Sequence, residues 1–253
     1  MTDLRFKMRK VATIIACLVV TIMFASCDKD DAPKKDVFLL EEIMWFASDT
    51  GRHVFEYDSH ERIIKYSYYY NSDLPYLVNS LIYNADGDLV EVTLNVYEGP
   101  SLFAERTTKF IKRGNLIDTS YGIIELNGQG LPIKYTRIDQ EETLIWQNGN
   151  LVKRVFVDVG STPFQSISTF THDNKYSPFY HCKTPKWFFI WFMGVGELYG
   201  YWNVNNMIDQ ELIANDEIRD IPPIDYTYND NGFPATSKQQ RTVTTSVYSY
   251  LKR

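Results

Sequence analysis

The sequence predicts an all-β fold: a long antiparallel meander of hairpins forming a curved, barrel-like sheet, with a short aromatic helix or plug near residues 185–200. Three observations carry this expectation. Asn/Asp/Gly turns recur between short runs of alternating aliphatic and aromatic residues. The chain holds 18 Tyr, 15 Phe and 5 Trp in 253 residues, and with its many Val, Ile and Thr residues this set favours strands over helices. One block, Trp187 to Met193, lacks the period-two pattern of the rest.

The chain opens with Arg5, Lys7, Arg9 and Lys10 against a single acid, Asp3. An almost wholly apolar run, residues 11–26, follows. A basic head, an apolar middle and small residues before a cut form a secretory leader, and the run is short of the ~20 residues a spanning helix needs. Ala25-Ser26-Cys27 resembles a lipobox, which implies cleavage before Cys27 and a diacylglycerol on its sulfur. Cys17 also follows a small residue but sits too early in the apolar run. The burst Asp28-Lys29-Asp30-Asp31 resembles the acidic signal that sends Bacteroidetes lipoproteins to the outer face of the outer membrane. The expected order is therefore a signal peptide at 1–26, a charged tether at 27–36 and a single all-β domain at 37–253. Multiple acyl chains would make the anchor firm where one chain would be marginal.

Four of the 26 basic and one of the 32 acidic residues lie in the leader, which leaves 22 against 31 and a net charge of −9. An acidic surface argues against nucleic acid as a partner. Of the three cysteines, Cys17 leaves with the leader and Cys27 is the lipidation site, so Cys182 has no partner for an intramolecular disulfide. A domain of this size can be stabilised by its core alone.

The hairpins follow in order: Phe55 to Tyr66 (FEYDSHERIIKY), Ile82 to Val92 (IYNADGDLVEV), Lys109 to Ser120 (KFIKRGNLIDTS), Ile124 to Tyr135 (IELNGQGLPIKY), Leu144 to Val155 (LIWQNGNLVKRV) and Tyr226 to Ser237 (YTYNDNGFPATS). Each joins two strand-like arms through residues that tolerate positive φ. After Gly87, Val90, Val92, Leu94 and Val96 share one face, with Glu91, Thr93 and Asn95 on the other, as in a half-buried strand. The irregular spacing disfavours a fixed-period solenoid. Between about residue 200 and Pro222-Pro223 the sequence reads as a loop leading to the last hairpin.

The C-terminal third carries Pro178-Phe179-Tyr180, the apolar stretch Trp187 to Met193, an Asn205-Asn206 step, and Tyr228-Asn229 running through Gly232-Phe233-Pro234. This string resembles a Bacteroidetes family of lipoproteins of unknown function described as having a porin-like fold. The likeness covers roughly residues 37–253 and is strongest after 170. The family often shows Ser-Lys before the Asn-Asn step, where this chain has Asn203-Val204. The resemblance implies a fold and an outer-membrane location with a lipid anchor facing the cell exterior, and no activity. A transmembrane barrel needs an uninterrupted apolar lipid face, whereas Glu91, Lys134 and Lys153 fall on outward positions.

Catalytic motifs give little. There is no Gly-x-Ser-x-Gly elbow and no phosphate-cradling glycine loop. His181 and Cys182 are adjacent, and on a strand they would point to opposite faces. His53 with His60, and His172 with His181, are histidine pairs lacking a third ligand. Asn84 to Asp88 (NADGD) looks like a calcium loop, but its glycine comes too early, and a hairpin turn accounts for it. Glu41-Glu42 and Glu141-Glu142 are neighbours in sequence and do not face each other across a cleft. Neither a cofactor nor a metal is implied.

Aromatic density is the remaining functional signal. Trp187, Trp191 and Trp202 are the candidate ligand-binding set, able to stack on sugar rings or line an apolar pocket, although such surface more often serves burial. The expectation is a lipid-anchored surface protein with a non-enzymatic binding or structural role, its ligand a glycan or a protein. Two other readings stand beside it: a carrier of lipid or another amphiphile, with Trp187 to Met193 as plug, and a hydrolase with a site built from distant strands.

Overall fold

The computed structural model describes residues 36–193 and 202–253. The leader, Cys27 and the tether up to residue 35 lie outside the described residues. From Val37 to Arg253 the chain forms one contact-dense unit.

The first sheet has nine strands. It holds β1 (Phe38–Phe46), β2 (Thr50–Tyr57), β3 (Ile63–Tyr70), β4 (Pro75–Tyr83), β5 (Leu89–Glu98) and β6 (Ser101–Lys109). The second, also nine-stranded, begins with β7 (Ile111–Arg113), β8 (Leu116–Thr119), β9 (Gly122–Leu126), β10 (Pro132–Thr136) and β11 (Gln140–Gln147). It continues with β12 (Asn150–Asp158), β13 (Phe164–Tyr176), β14 (Asn205–Ala214) and β15 (Glu217–Asp220). The chain then returns to the first sheet as β16 (Ile224–Tyr228), β17 (Pro234–Gln239) and β18 (Thr245–Lys252). Every pairing is antiparallel, and β18 pairs with β1, so the first and last strands meet.

The expected meander is present. It is hydrogen-bonded as two sheets and does not close into a barrel. The first seam lies between β6 and β7, which follow each other with Phe110 alone between them. The second lies between β15 and β16, joined through residues 221–223.

All six expected hairpins form, and four share one turn. Asp58, Asn84, Asn127 and Asn229 each accept two backbone N–H bonds on Oδ1, from the second and fourth residues after them, at 2.9–3.1 Å. The residue three places on has positive φ: Gly87 (85°), Gly130 (75°), Gly232 (80°) and, without glycine, Glu61 (65°). The side chain thereby satisfies turn N–H groups that would otherwise have only water.

One expectation is corrected. The segment before Pro222-Pro223 is not a loop. It is the hairpin of β14 and β15, turned by Asn215 and Asp216 at φ 48° and 65°. Two non-glycine residues in the left-handed region make this turn, and its arms are charged.

The helix α1 (Lys186–Met193) is apolar after Lys186, as a helix surrounded by core must be. Pro185 stands just before it, and its carbonyl accepts the Phe188 N–H at 3.0 Å. Trp187, Phe188, Phe189 and Ile190 are buried in one cluster with Ile43, Phe55 and Val92 of the first sheet and Ile117, Ile124 and Leu144 of the second. Thr184 ties the helix start to the first sheet: its hydroxyl accepts the Ile63 N–H at 2.8 Å and meets the Tyr83 hydroxyl at 3.2 Å.

Because the strands alternate in direction, the turns sort into two ends. One end holds Val37 and Arg253, the four shared turns and the start of α1, with Arg253 reaching the Asp58 carbonyl and Lys183 the Glu61 carbonyl. The other end holds the β8–β9, β10–β11 and β12–β13 turns. Outer faces carry cross-strand ion pairs, Lys134–Glu141 at 2.7 Å and Lys65–Glu56 at 2.7 Å, where a lipid-facing strand carries apolar side chains.

Candidate functional site

At the end away from Val37 and Arg253, a cavity of about 1110 Å³ lies between the sheets. Its size follows from strand lengths. Strands β4 to β6 run 9–10 residues, whereas β7 to β10 run 3–5, so the second sheet falls short of the first beside the β6 seam. The helix fills the opposite half, and its last turn brings Trp191 and Phe192 to the cavity floor.

The floor is held by ring packing. Trp191 meets Phe110 edge-on at 4.9 Å, and Phe192 stacks on Phe188 at 5.3 Å and meets Tyr66 edge-on at 5.8 Å. Tyr135, buried on β10, borders the same space. Such contacts fix ring positions beyond what area burial alone does.

The wall on the first sheet is a row across three strands. Asn79 on β4 lies opposite Leu94 on β5, and Leu94 lies opposite Arg106 on β6. Directly opposed residues share a face, and all three border the cavity. Asn79 is fully buried, and neither its Oδ1 nor its Nδ2 has a hydrogen-bond partner. A buried carboxamide without a partner costs about 1–3 kcal/mol, so the position is polar against the interest of the core.

Two arginines stand at the mouth. The Arg106 guanidinium lies 4.7 Å from the Tyr121 ring centre, and that of Arg137 4.4 Å from that of Tyr135. Arg137 also donates to Gln140 Oε1 at 3.2 Å. On the other side of the same Gln140 carboxamide, Asp158 accepts from Gln140 Nε2 at 2.8 Å and from the Gly160 N–H at 2.9 Å, and these bonds hold its carboxyl below the usual range. Asp139 borders the cavity beside it.

The three candidate tryptophans part company. Trp191 lines the cavity. Trp187 and Trp202 are 5% and 2% exposed, Trp187 packed edge-on with Phe110 at 4.9 Å and Trp202 stacked on Phe189 at 5.9 Å. The sequence offered no sign of Asn79, Arg106 or Arg137, single residues whose meeting depends on strand register.

Other candidates resolve into structure. His181 and Cys182 lie in turns and not on a strand, which corrects that placement. His181 Nδ1 accepts the Phe38 N–H at 3.0 Å, while burial pushes the Cys182 thiol up to about 11. Burial holds His53 down at about 4, with its Nδ1 2.8 Å from the Tyr66 hydroxyl. Asn206 donates to Asp173 and to the Tyr176 carbonyl, and Asn205 accepts from Asn150, so the Asn-Asn step braces β14 against β13 and against the start of β12. Among the described residues, no three His, Cys, Asp or Glu side chains come together as a metal-ligand set.

No protein-family model and no curated protein matches the chain. Among solved structures it is similar to a porin-like protein from Bacteroides vulgatus ATCC 8482, with a TM-score of 0.46 and 13% identity over 85% of this chain and 99% of that one. A porin-like protein from Bacteroides uniformis ATCC 8492 gives a TM-score of 0.33 and 14% identity over 84% and 96%. The likeness concerns the course of the backbone alone.

Proposed function

We propose that this chain is a lipid-anchored envelope protein, held through Cys27 and facing the cell exterior, that binds a small ligand between its two sheets and does not turn it over. The observation that carries the binding role is the cavity floored by Trp191 and Phe192 and walled by the unpaired Asn79. Its volume, about 1110 Å³, is slightly above the about 300–1,000 Å³ usual for small-molecule sites. An apolar floor with a few convergent polar groups is the usual composition of such sites. Of the candidate tryptophans, Trp191 is the one in a position to touch a ligand there.

The anchor and outward location rest on the leader, Ala25-Ser26-Cys27 and the acidic burst after it. The hydrolase reading has one observation in its favour, the presence of Asp139 and Asp158 on one rim. Asp158 is held ionised by the bonds from Gln140 and Gly160, the wrong state for a general acid.

The test has two arms. Cells expressing the full chain are fed labelled palmitate, and Cys27→Ser is expected to lose the label. The purified chain is screened by thermal shift against neutral oligosaccharides, fatty acids and aromatic acids. A reproducible rise in Tm that is lost in a variant with the cavity filled, Leu94→Trp, supports binding. Turnover of any of these compounds would overturn the non-enzymatic reading.

A further inference from the structure

Resting on that binding reading, we propose that the cavity takes an anionic amphiphile: an apolar body on the Trp191–Phe192 floor and a carboxylate head between Arg106 and Arg137.

Among the described residues, most arginines are already matched to an acid. Arg52, Arg62, Arg113, Arg154, Arg219 and Arg241 each have a carboxylate partner. Arg253 donates to backbone carbonyls. Among the described residues Arg106 and Arg137 have no carboxylate partner, and both border the cavity. Each is instead laid against an aromatic ring, Tyr121 or Tyr135. A ring face orients a guanidinium without neutralising it and leaves its N–H edge free for a carboxylate.

Asp158, the acid nearest Arg137 by way of Gln140, is not paired with it directly. Asp158 is occupied by Gln140 and Gly160. Gln140 accepts from Arg137 and donates to Asp158, so it spaces the two charges apart. Behind the head position the surface turns apolar, with Val92, Leu94, Trp191 and Phe192. A head that pairs with Arg106 therefore has its body carried along the Leu94 wall toward the floor. Asn79, buried and unpartnered, lies two strands from Arg106, a lateral distance of about 10 Å. Its amide atoms are enclosed, so pairing with a hydroxyl or carbonyl on the ligand body requires the carboxamide to turn toward the cavity, and a purely hydrocarbon pocket has no use for a carboxamide there.

The experiment is a titration of the full purified chain with 11-bromoundecanoate and, separately, with its neutral analogue 11-bromoundecanol. Bromine quenches tryptophan on contact, so fluorescence reports occupancy beside Trp191, and calorimetry reports binding independently. The acid is expected to bind at least tenfold more tightly than the alcohol. Arg106→Gln with Arg137→Gln is expected to weaken the acid at least tenfold and to leave the alcohol within twofold. Trp191→Phe should remove most of the quenching while calorimetric binding persists. Equal affinity for acid and alcohol, or an acid affinity unmoved by the double substitution, would overturn the inference. If neither bromo compound binds but a neutral oligosaccharide does, the binding role stands and the amphiphile inference falls. If nothing in either series binds, both fall.

Discussion

Asn79 allows stability and binding to be separated in one substitution. Its carboxamide is fully buried, with both polar atoms unpartnered, at the head of a row that continues as Leu94 and Arg106. Leucine has the same branching without the polar atoms. Asn79→Leu removes a desolvation cost of about 1–3 kcal/mol, and the adjoining cavity gives the extra methyl volume room, so the overpacking cost that such changes often carry is small here. A net gain of about 2 kcal/mol is expected from the same desolvation term. In a domain of this size that raises Tm by about 4–8 °C. The assays are urea denaturation and calorimetric melting of the full chain with and without the substitution. Binding of a ligand with a polar group on its body is expected to weaken in the same variant, the trade between stability and function that a site residue shows. If Asn79→Leu leaves Tm unchanged or lowers it, the amide is already paired and the idea that it awaits a ligand fails.

Four further outcomes are expected from the geometry. Burial keeps His53 neutral with a folded pKa of about 4 against an ordinary 6.5, so the unfolded chain binds the extra proton, and stability should fall as pH drops from about 6.5 toward 4; the loss is roughly 3 kcal/mol, and His53→Phe should show a flatter fall in urea midpoint over that window. Glu61 stands at φ 65° where the sister turns have glycine, so Glu61→Gly should stabilise by about 0.5 kcal/mol, relief of left-handed strain outweighing added chain entropy, and a loss of stability on denaturation would refute this. Gly130→Ala meets nothing within 4 Å and is charged only with its φ of 75°, for an expected cost of about 1–2 kcal/mol by the same assay. The Cys182 thiol, pushed up from 9.0 to about 11, should alkylate with iodoacetamide at pH 8 about a hundredfold more slowly than an ordinary thiol, and reaction at the ordinary rate would show that the sulfur is not enclosed.

Hairpins were legible in the sequence wherever an Asn or Asp side chain had a mechanical task. Asn84, Asn127 and Asn229 each fold a turn around their own Oδ1, and the spacing of Asn, Gly and the following apolar residue marks each of them in the amino-acid order itself. The β14–β15 hairpin escaped because Asn215 and Asp216 turn it without glycine, between arms whose charged residues imitate a loop. The division into two sheets escaped for a different reason. At Lys109-Phe110-Ile111 the chain passes from one sheet to the other without a turn residue, so nothing local marks the seam. The helix was legible from the failure of alternation at Trp187 to Met193, although which tryptophan faces a cavity depends on how that helix sits among the strands. Asn79, Arg106 and Arg137 were illegible in principle, because residues so far apart in sequence meet only through register and through the aromatic ring each arginine lies on.

The seam and the helix together account for where the cavity is. A ring of next-neighbour strands with two unbonded seams has an interior that must be filled from inside. Helix α1 has 8 residues and spans about 12 Å, less than the length of a nine-residue strand such as β4, about 30 Å. It therefore closes one end and leaves the other open. Thr184 on Ile63, and Lys186 on the Gly149 carbonyl at 3.1 Å, fix the end that is closed. The described chain begins at that closed end, where Val37 and Arg253 exchange backbone bonds at 3.2 and 2.9 Å. The arginine-lined mouth lies at the opposite end. A ligand would then enter from the side remote from Val37 and Arg253. This predicts that a bulky label placed on the β10–β11 turn, at the 96% exposed Ile138, impedes binding, while the same label at Arg253 does not.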